Sequence, residues 1–158
     1  MSALQVIEIE AGIGPKGEPV IEKIPVRFTE DGTALLVKSP AFIKGLASGD
    51  AIKYDAEHKT FTVEKRSGNL CIRVLSRSGI ADISDELSPL IEKMGGELDT
   101  ETERMLVFSV HVSCGFKQIE GLLNDYADEE TMWFYGNVYD PKDGQTPLNW
   151  WQEILKPE

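Results

Sequence analysis

His111 and Cys114 stand close together in His111-Val112-Ser113-Cys114-Gly115, the one place in the chain where an imidazole and a thiol are near in sequence. A thiol at the N-terminal end of a helix sits in the positive end of the helix dipole, which favours the thiolate. A Cys114 placed there would be a nucleophile or a redox-sensitive group. The commoner fate of a free cysteine is a small buried thiol that does no chemistry. Two side chains are also too few for zinc, which takes about four ligands, or three and a water. No catalytic residue and no metal ligand is therefore assigned, no cofactor is expected, and the balance leans away from an enzyme.

Lys65-Arg66-Ser67-Gly68-Asn69 with Arg73, followed by Arg77-Ser78-Gly79, form the only concentration of basic residues. A glycine-containing turn flanked by arginines can hold a phosphate or carboxylate through backbone N–H groups and a bidentate guanidinium. Arg66, Asn69 and Arg73 are the candidates for such a site. The lysine pattern of a P-loop is missing, and basic residues beside a hairpin are more often simply solvated. Arg73 has a second candidate role, pairing with acids of the second half and holding two subdomains together.

Asp125, Asp128, Glu129 and Glu130 crowd the end of an expected helix. They lack the alternating spacing and central glycine of a calcium loop, and acids at a helix C-terminus oppose its dipole. Just beyond them come Trp133-Phe134-Tyr135, Tyr139 and Trp150-Trp151, which place all three tryptophans in the last part of the chain. Alternate residues of a strand face opposite sides, so one aromatic set is left for the tail or for a partner. Trp and Tyr beside acids make a binding hot spot, with Trp133, Tyr135, Trp150 and Trp151 as its candidates. The competing outcome is a tail that folds over this face and completes the core.

Charge divides the chain in two. Residues 1 to 79 carry 10 acids against 11 bases, whereas residues 80 to 158 carry 17 against 5, a net charge of -12. Such a surface repels phosphates and anionic lipids, so neither nucleic acid nor membrane is an expected partner, and a basic protein is. Excess acid also serves solubility alone. No apolar run approaches the roughly 18 residues of a membrane helix, and the first ten residues show no basic leader segment. The two cysteines stand outside any CxxC pair, which suits a reducing compartment. The cytoplasm is the expected location.

These side chains need elements to hold them. With 41% hydrophobic and 27% charged residues, the chain has the composition of a folded domain rather than of a disordered one. Alternation predicts strands at Gln5 to Glu10, Lys23 to Thr29, Thr33 to Lys38, Ala51 to Tyr54 and Thr60 to Lys65. Gly12, Gly14, Pro15, Gly17 and Pro19 read as a loop. Pro25 suggests an edge strand or a bulge, and Ala41 to Asp50 a turn of helix ending in a tight Gly-Asp corner. From Leu70 the pattern changes. A strand at Cys71 to Leu75 is followed by a helix capped by Ser84 and running to Met94, with Pro89 in its first turns. Strands at Gly96 to Thr100 and Arg104 to Val112 come next, then a helix capped by Ser113, and a last strand at Met132 to Tyr139. The expected fold class is α+β: a mostly-β subdomain over residues 1–69, either a small barrel or a bent sheet, then a ferredoxin-like βαββαβ subdomain over 70–140. Residues 141–158 form a tail with a short helix.

The run Pro40-Ala41-Phe42, Gly45, Ala47, Gly49-Asp50, then Arg66-Ser67-Gly68-Asn69 and Ile72-Arg73-Val74, resembles a bacterial family known as domain of unknown function 4265. The resemblance spans roughly Ile24 to Val138. It implies a two-part α+β fold and no activity. Asn69 stands where that family has a histidine, which argues against imidazole chemistry at this position.

Taken together, the residues point to a non-catalytic interaction or regulatory module whose acidic, aromatic C-terminal half binds a basic protein; an immunity or inhibitor protein is one concrete version. The alternative is a small-molecule or anion-binding sensor or enzyme, its ligand held between the two subdomains by Arg66 or Arg73.

Overall fold

In the computed structural model, which describes residues 4–155, alternation of apolar and polar side chains in Leu4–Ile13 (β1) and Pro19–Phe28 (β2) buries Ile7, Ile9, Ile24 and Val26 on one side of a hairpin. The ladder runs from Leu4 opposite Arg27 to Ile13 opposite Pro19, with a bulge between Glu10 and Gly12. Of the expected glycine- and proline-rich loop, Gly14, Pro15 and Gly17 do turn the chain, while Gly12 and Pro19 are drawn into the strands, where pairing across the hairpin outweighs their local turn preference. Pro25 is not on an edge strand, since β2 lies between β1 and Ala34–Leu36 (β3). Its carbonyl accepts from Val37 N–H at 3.1 Å. Its missing donor thus faces the same side, just past the β3 pairing, which covers Val26 to Phe28. The start of the segment read for a leader, residues 1–3, lies outside the described residues.

Ala51–Asp55 (β4) and Thr60–Lys65 (β5) complete a five-stranded antiparallel sheet in the order β1-β2-β3-β4-β5. It curls until Glu10 N–H donates to Lys59 O at 3.0 Å and the Tyr54 hydroxyl donates to Glu8 O at 2.6 Å. No ladder joins β1 to β5, so the expected barrel does not close and the sheet is bent and open.

The second sheet is built from Asn69–Ser76 (β6), Glu97–Glu101 (β7), Met105–His111 (β8) and Thr131–Tyr135 (β9), antiparallel in the order β7-β8-β6-β9. Helices Ala81–Lys93 (α1) and Phe116–Asn124 (α2) connect β6 to β7 and β8 to β9. Leu70, Ile72, Val74, Leu106, Phe108 and Val110 pack with Leu87, Ile91, Ile119 and Leu123 of the helices. The other face is covered as well: Cys71 and Val107 pack with Ala47 of the β3–β4 connection. A strand buried on both faces reads as a continuous apolar run rather than an alternating one, which is the pattern of Leu70 to Val74 interrupted only by Arg73.

Both helix starts differ from expectation. Helix α1 begins three residues before Ser84, after a Gly79 with φ of 109°. The Ser84 hydroxyl bonds Ser88 and donates to Glu101 instead of capping. Pro89 accordingly sits in the second half of the helix, not in its first turns. Helix α2 starts after Gly115, whose φ is 90°, and Ser113 lies in a short 3-10 turn, Val112–Cys114, whose amide it donates to the His111 ring at 3.1 Å. The tail contains a short helix, Trp151–Ile154 (α3). Among the described residues, no helix is long and apolar enough to cross a membrane.

Candidate functional site

The residues that looked like an anion site form an internal clasp between the sheets. The connection of residues 37–50 has no helical turn. It is shaped instead by three amides, Ala41, Phe42 and Ile43 N–H, which donate to the Glu22 carboxylate at 2.7 to 2.9 Å. Gly49, with φ of 84°, turns the chain so that the Asp50 carboxylate can accept from Ala47 N–H at 3.0 Å and Ser67 N–H at 2.8 Å. Burial raises the Asp50 carboxyl above its ordinary pKa, against the opposing pull of those amides and of Arg66. Arg66 approaches Asp50 at 3.7 Å, donates to Gly45 O at 2.5 Å and lies over the Trp150 ring. Asn69 donates from its amide to Ser48 O at 2.9 Å.

Arg73 is 2% exposed. Its guanidinium donates to Pro40 O at 3.1 Å and to Ile43 O, and stands 6.0 Å from the centre of the Phe134 ring. It does join the two parts of the chain, but through backbone carbonyls of the first sheet's connection rather than through acids of the second half. Ser39 completes the seam: its N–H donates to Asp99 at 2.7 Å and its hydroxyl meets that of Ser109 at 2.6 Å. Burial raises the Asp99 carboxyl as well. Among the described residues, no buried side-chain nitrogen or oxygen lacks a partner. Two clefts flank the junction, one of about 180 Å³ at Glu22, Lys38 and Thr100 and one of about 290 Å³ at Ile43, Lys44 and Pro141; neither is lined by Arg66 or Arg73.

The thiols split in the same way. Cys71 is fully buried in the seam, and burial pushes its pKa up to about 11 despite the nearby Arg73, so it remains a thiol. Cys114 is partly exposed and its sulfur lies 3.2 Å from Met94 O. The His111 ring is engaged with the hydroxyl and amide of Ser113, at 2.8 and 3.1 Å.

The aromatic residues are half-buried and linked. Trp133 donates its indole N–H to Asn124 at 2.8 Å, and Trp150 donates to Asn137 O at 2.9 Å. The Tyr135 hydroxyl donates to Glu120 at 2.9 Å; burial and that carboxylate raise its pKa. The tail folds back, with Leu148 N–H donating to Val138 O at 2.9 Å, which sets Trp151 against Phe116. The face is therefore partly closed by the tail, not open along its length. Sealing is incomplete: a groove of about 210 Å³ remains among Phe116, Glu120, Tyr135, Tyr139, Pro147 and Trp151, and Tyr139 is 44% exposed.

A larger cleft, about 310 Å³, lies at the opposite end of β9 and brings together two groups far apart in sequence, Arg77 with Arg104 and Asp128-Glu129-Glu130. Asp128 holds its loop by accepting from the amides of Glu130 and Thr131 at 2.8 Å. Sequence reasoning missed the polar residues Glu22, Ser39 and Asp99, and Asn137, whose side chain accepts from Cys71 N–H and donates to Asn69 O, both at 2.9 Å. Only Asp50 carried a signal, its glycine neighbour.

The family model described as Domain of unknown function (DUF4265) matches residues 22–134, the span in which the Pro40 to Val74 motifs lie. A search of curated proteins finds no match. A crystal structure of a hypothetical protein from Neisseria gonorrhoeae superposes with a TM-score of 0.64 at 19% identity, covering 86% of this chain and 94% of that one, a likeness that shows the fold alone.

Proposed function

The chain belongs to the family carrying the domain of unknown function DUF4265, and because that membership brings no activity with it, we propose from the site itself that this is a non-catalytic interaction module whose acidic second half binds a basic protein. On this reading residues 1–69 are a bent-sheet subdomain and residues 70–140 a ferredoxin-like one. The tail, 141–158, finishes the aromatic face of the latter, and the motif residues hold the two together.

One observation carries the reading. Among the described residues, the lysine and arginine side chains within 4 Å of a carboxylate are Lys53 at Glu64, Lys59 at Glu8 and Arg66 at Asp50, all in the first half, where His58 also hydrogen-bonds Asp55. Among the described residues of the second half, whose sequence carries a net charge of -12, no carboxylate is ion-paired in this way, although Arg77 and Arg104 share a cleft with Asp128, Glu129 and Glu130. An excess of one charge on a small protein attracts a partner of opposite sign and speeds its approach.

Affinity capture from native lysate across a salt series tests this. The expected outcome is a basic protein retained at about 20 mM salt and released by several hundred millimolar, where screening is nearly complete over about 5 Å. Capture of nothing above a blank resin at low salt, or of proteins that salt does not release, would refute it.

A further inference from the structure

We propose that the groove between α2, the end of β9 and the tail is a cation box that receives one lysine side chain of the basic partner. This rests on the reading above and names the group recognised. Phe116 and Glu120 lie one turn apart on α2, so both face the same neighbours. Tyr135 ends β9 on the side of that helix, and Tyr139, Pro147 and Trp151 come from the tail. Phe116 meets Tyr135 with ring centres 5.7 Å apart at 89°, and Trp151 at 5.2 Å and 73°. Rings set near right angles make a corner rather than a stack, and the electron-rich faces of such a corner attract a cation.

Glu120 supplies the charge. The Tyr135 hydroxyl fixes one carboxylate oxygen at 2.9 Å, and the other has no hydrogen-bond partner among the described residues. An anion is disfavoured here by Glu120 and by the net charge of the whole half. A groove of about 210 Å³ suits a compact ammonium on an apolar stem, the stem lying along Val138 and Pro147.

The test is titration of the ¹⁵N-labelled full chain with the capped peptide Gly-Lys-Gly and with its norleucine counterpart, which keeps the stem and lacks the charge. The lysine peptide is expected to move the Trp151 indole signal saturably at millimolar concentration, with the norleucine peptide leaving it in place. Glu120→Gln, which retains an acceptor for Tyr135, and Tyr139→Leu, at an exposed ring, should each weaken binding roughly fivefold without lowering the melting temperature. Equal binding of both peptides, or no saturable shift with the lysine peptide, overturns the cation box. Because the peptide carries no other part of a partner, either result leaves salt-sensitive capture to judge the basic-partner reading separately.

Discussion

At the scale of single residues, the decisive side chain is Arg73. A guanidinium taken out of water is tolerated when it is hydrogen-bonded, and here Nε and one terminal nitrogen donate to the carbonyls of Pro40 and Ile43. Arg73→Leu leaves both carbonyls buried without that donor, and urea unfolding should show a loss of about 2–4 kcal/mol; a loss below about 0.5 would contradict the clasp. Gly136 makes the same point by its lack of a side chain. A Cβ there would stand 2.8 Å from the Cys71 sulfur and 3.0 Å from the Arg73 guanidinium carbon, so Gly136→Ala should cost about 1–3 kcal/mol through overpacking. Cys71, its pKa pushed to about 11, should resist iodoacetamide in the folded protein at about pH 8 while the partly exposed Cys114 is alkylated, because the thiolate is the reacting form. Sequence offered Arg66, Asn69 and Arg73 as donors to an anion, and the fold gives their donors to backbone carbonyls. It could not say whether their donors face solvent, since that depends on carbonyls of residues 40–48, which only the fold brings near.

At the scale of elements, the connection of residues 37–50 has no ladder of its own and depends on Glu22. Glu22→Ala should destabilise by about 1–3 kcal/mol and speed hydrogen exchange at the amides of residues 41–43 before other sites. The seam also sets a pH response. Asp50 and Asp99, raised by burial above their ordinary 3.8, bind protons more readily folded than unfolded. Their contribution is full below 3.8 and declines as pH rises through the raised values. Exposed Asp31, Asp55 and Asp143 work in the opposite sense. Hydrogen bonds from Thr29, His58 and Thr146 hold them low, Asp143 at about 2, so their stabilisation is present above 3.8 and lost as pH falls through the lowered values. Stability should rise as pH falls through the raised values of Asp50 and Asp99 toward 3.8 and turn over below 3.8 as Asp31, Asp55 and Asp143 take up protons, and Asp99→Asn should flatten the upper limb in urea melts. Periodicity made the order of strands and helices legible from Leu70 onward, because each helix buries one stripe and β6 is an unbroken apolar run. The helix starts were not legible: Gly79 and Gly115 set them by conformation, while Ser84 and Ser113 offered better caps on composition alone.

At the scale of the molecule, the division of charge was visible in the sequence, but the placement of the charges was not. The structure leaves the acids of the 125–130 loop exposed at one end of α2 and β9 and the aromatic groove at the other. A nine-residue helix separates the two by about 13 Å, within the span of one basic helix or hairpin. The tail narrowed the aromatic surface from a whole strand face to this groove, which alternation along β9 could not foresee. The most direct measurement of the central claim is salt-resolved capture by a chain bearing Asp125→Lys, Glu129→Lys and Glu130→Lys, set beside the original chain. These side chains are exposed, and Asp128, which holds the loop, is kept. The reversed chain is expected to melt as before yet no longer retain the basic partner at low salt; retention of the same partner with the same salt dependence would overturn the proposed role of these acids.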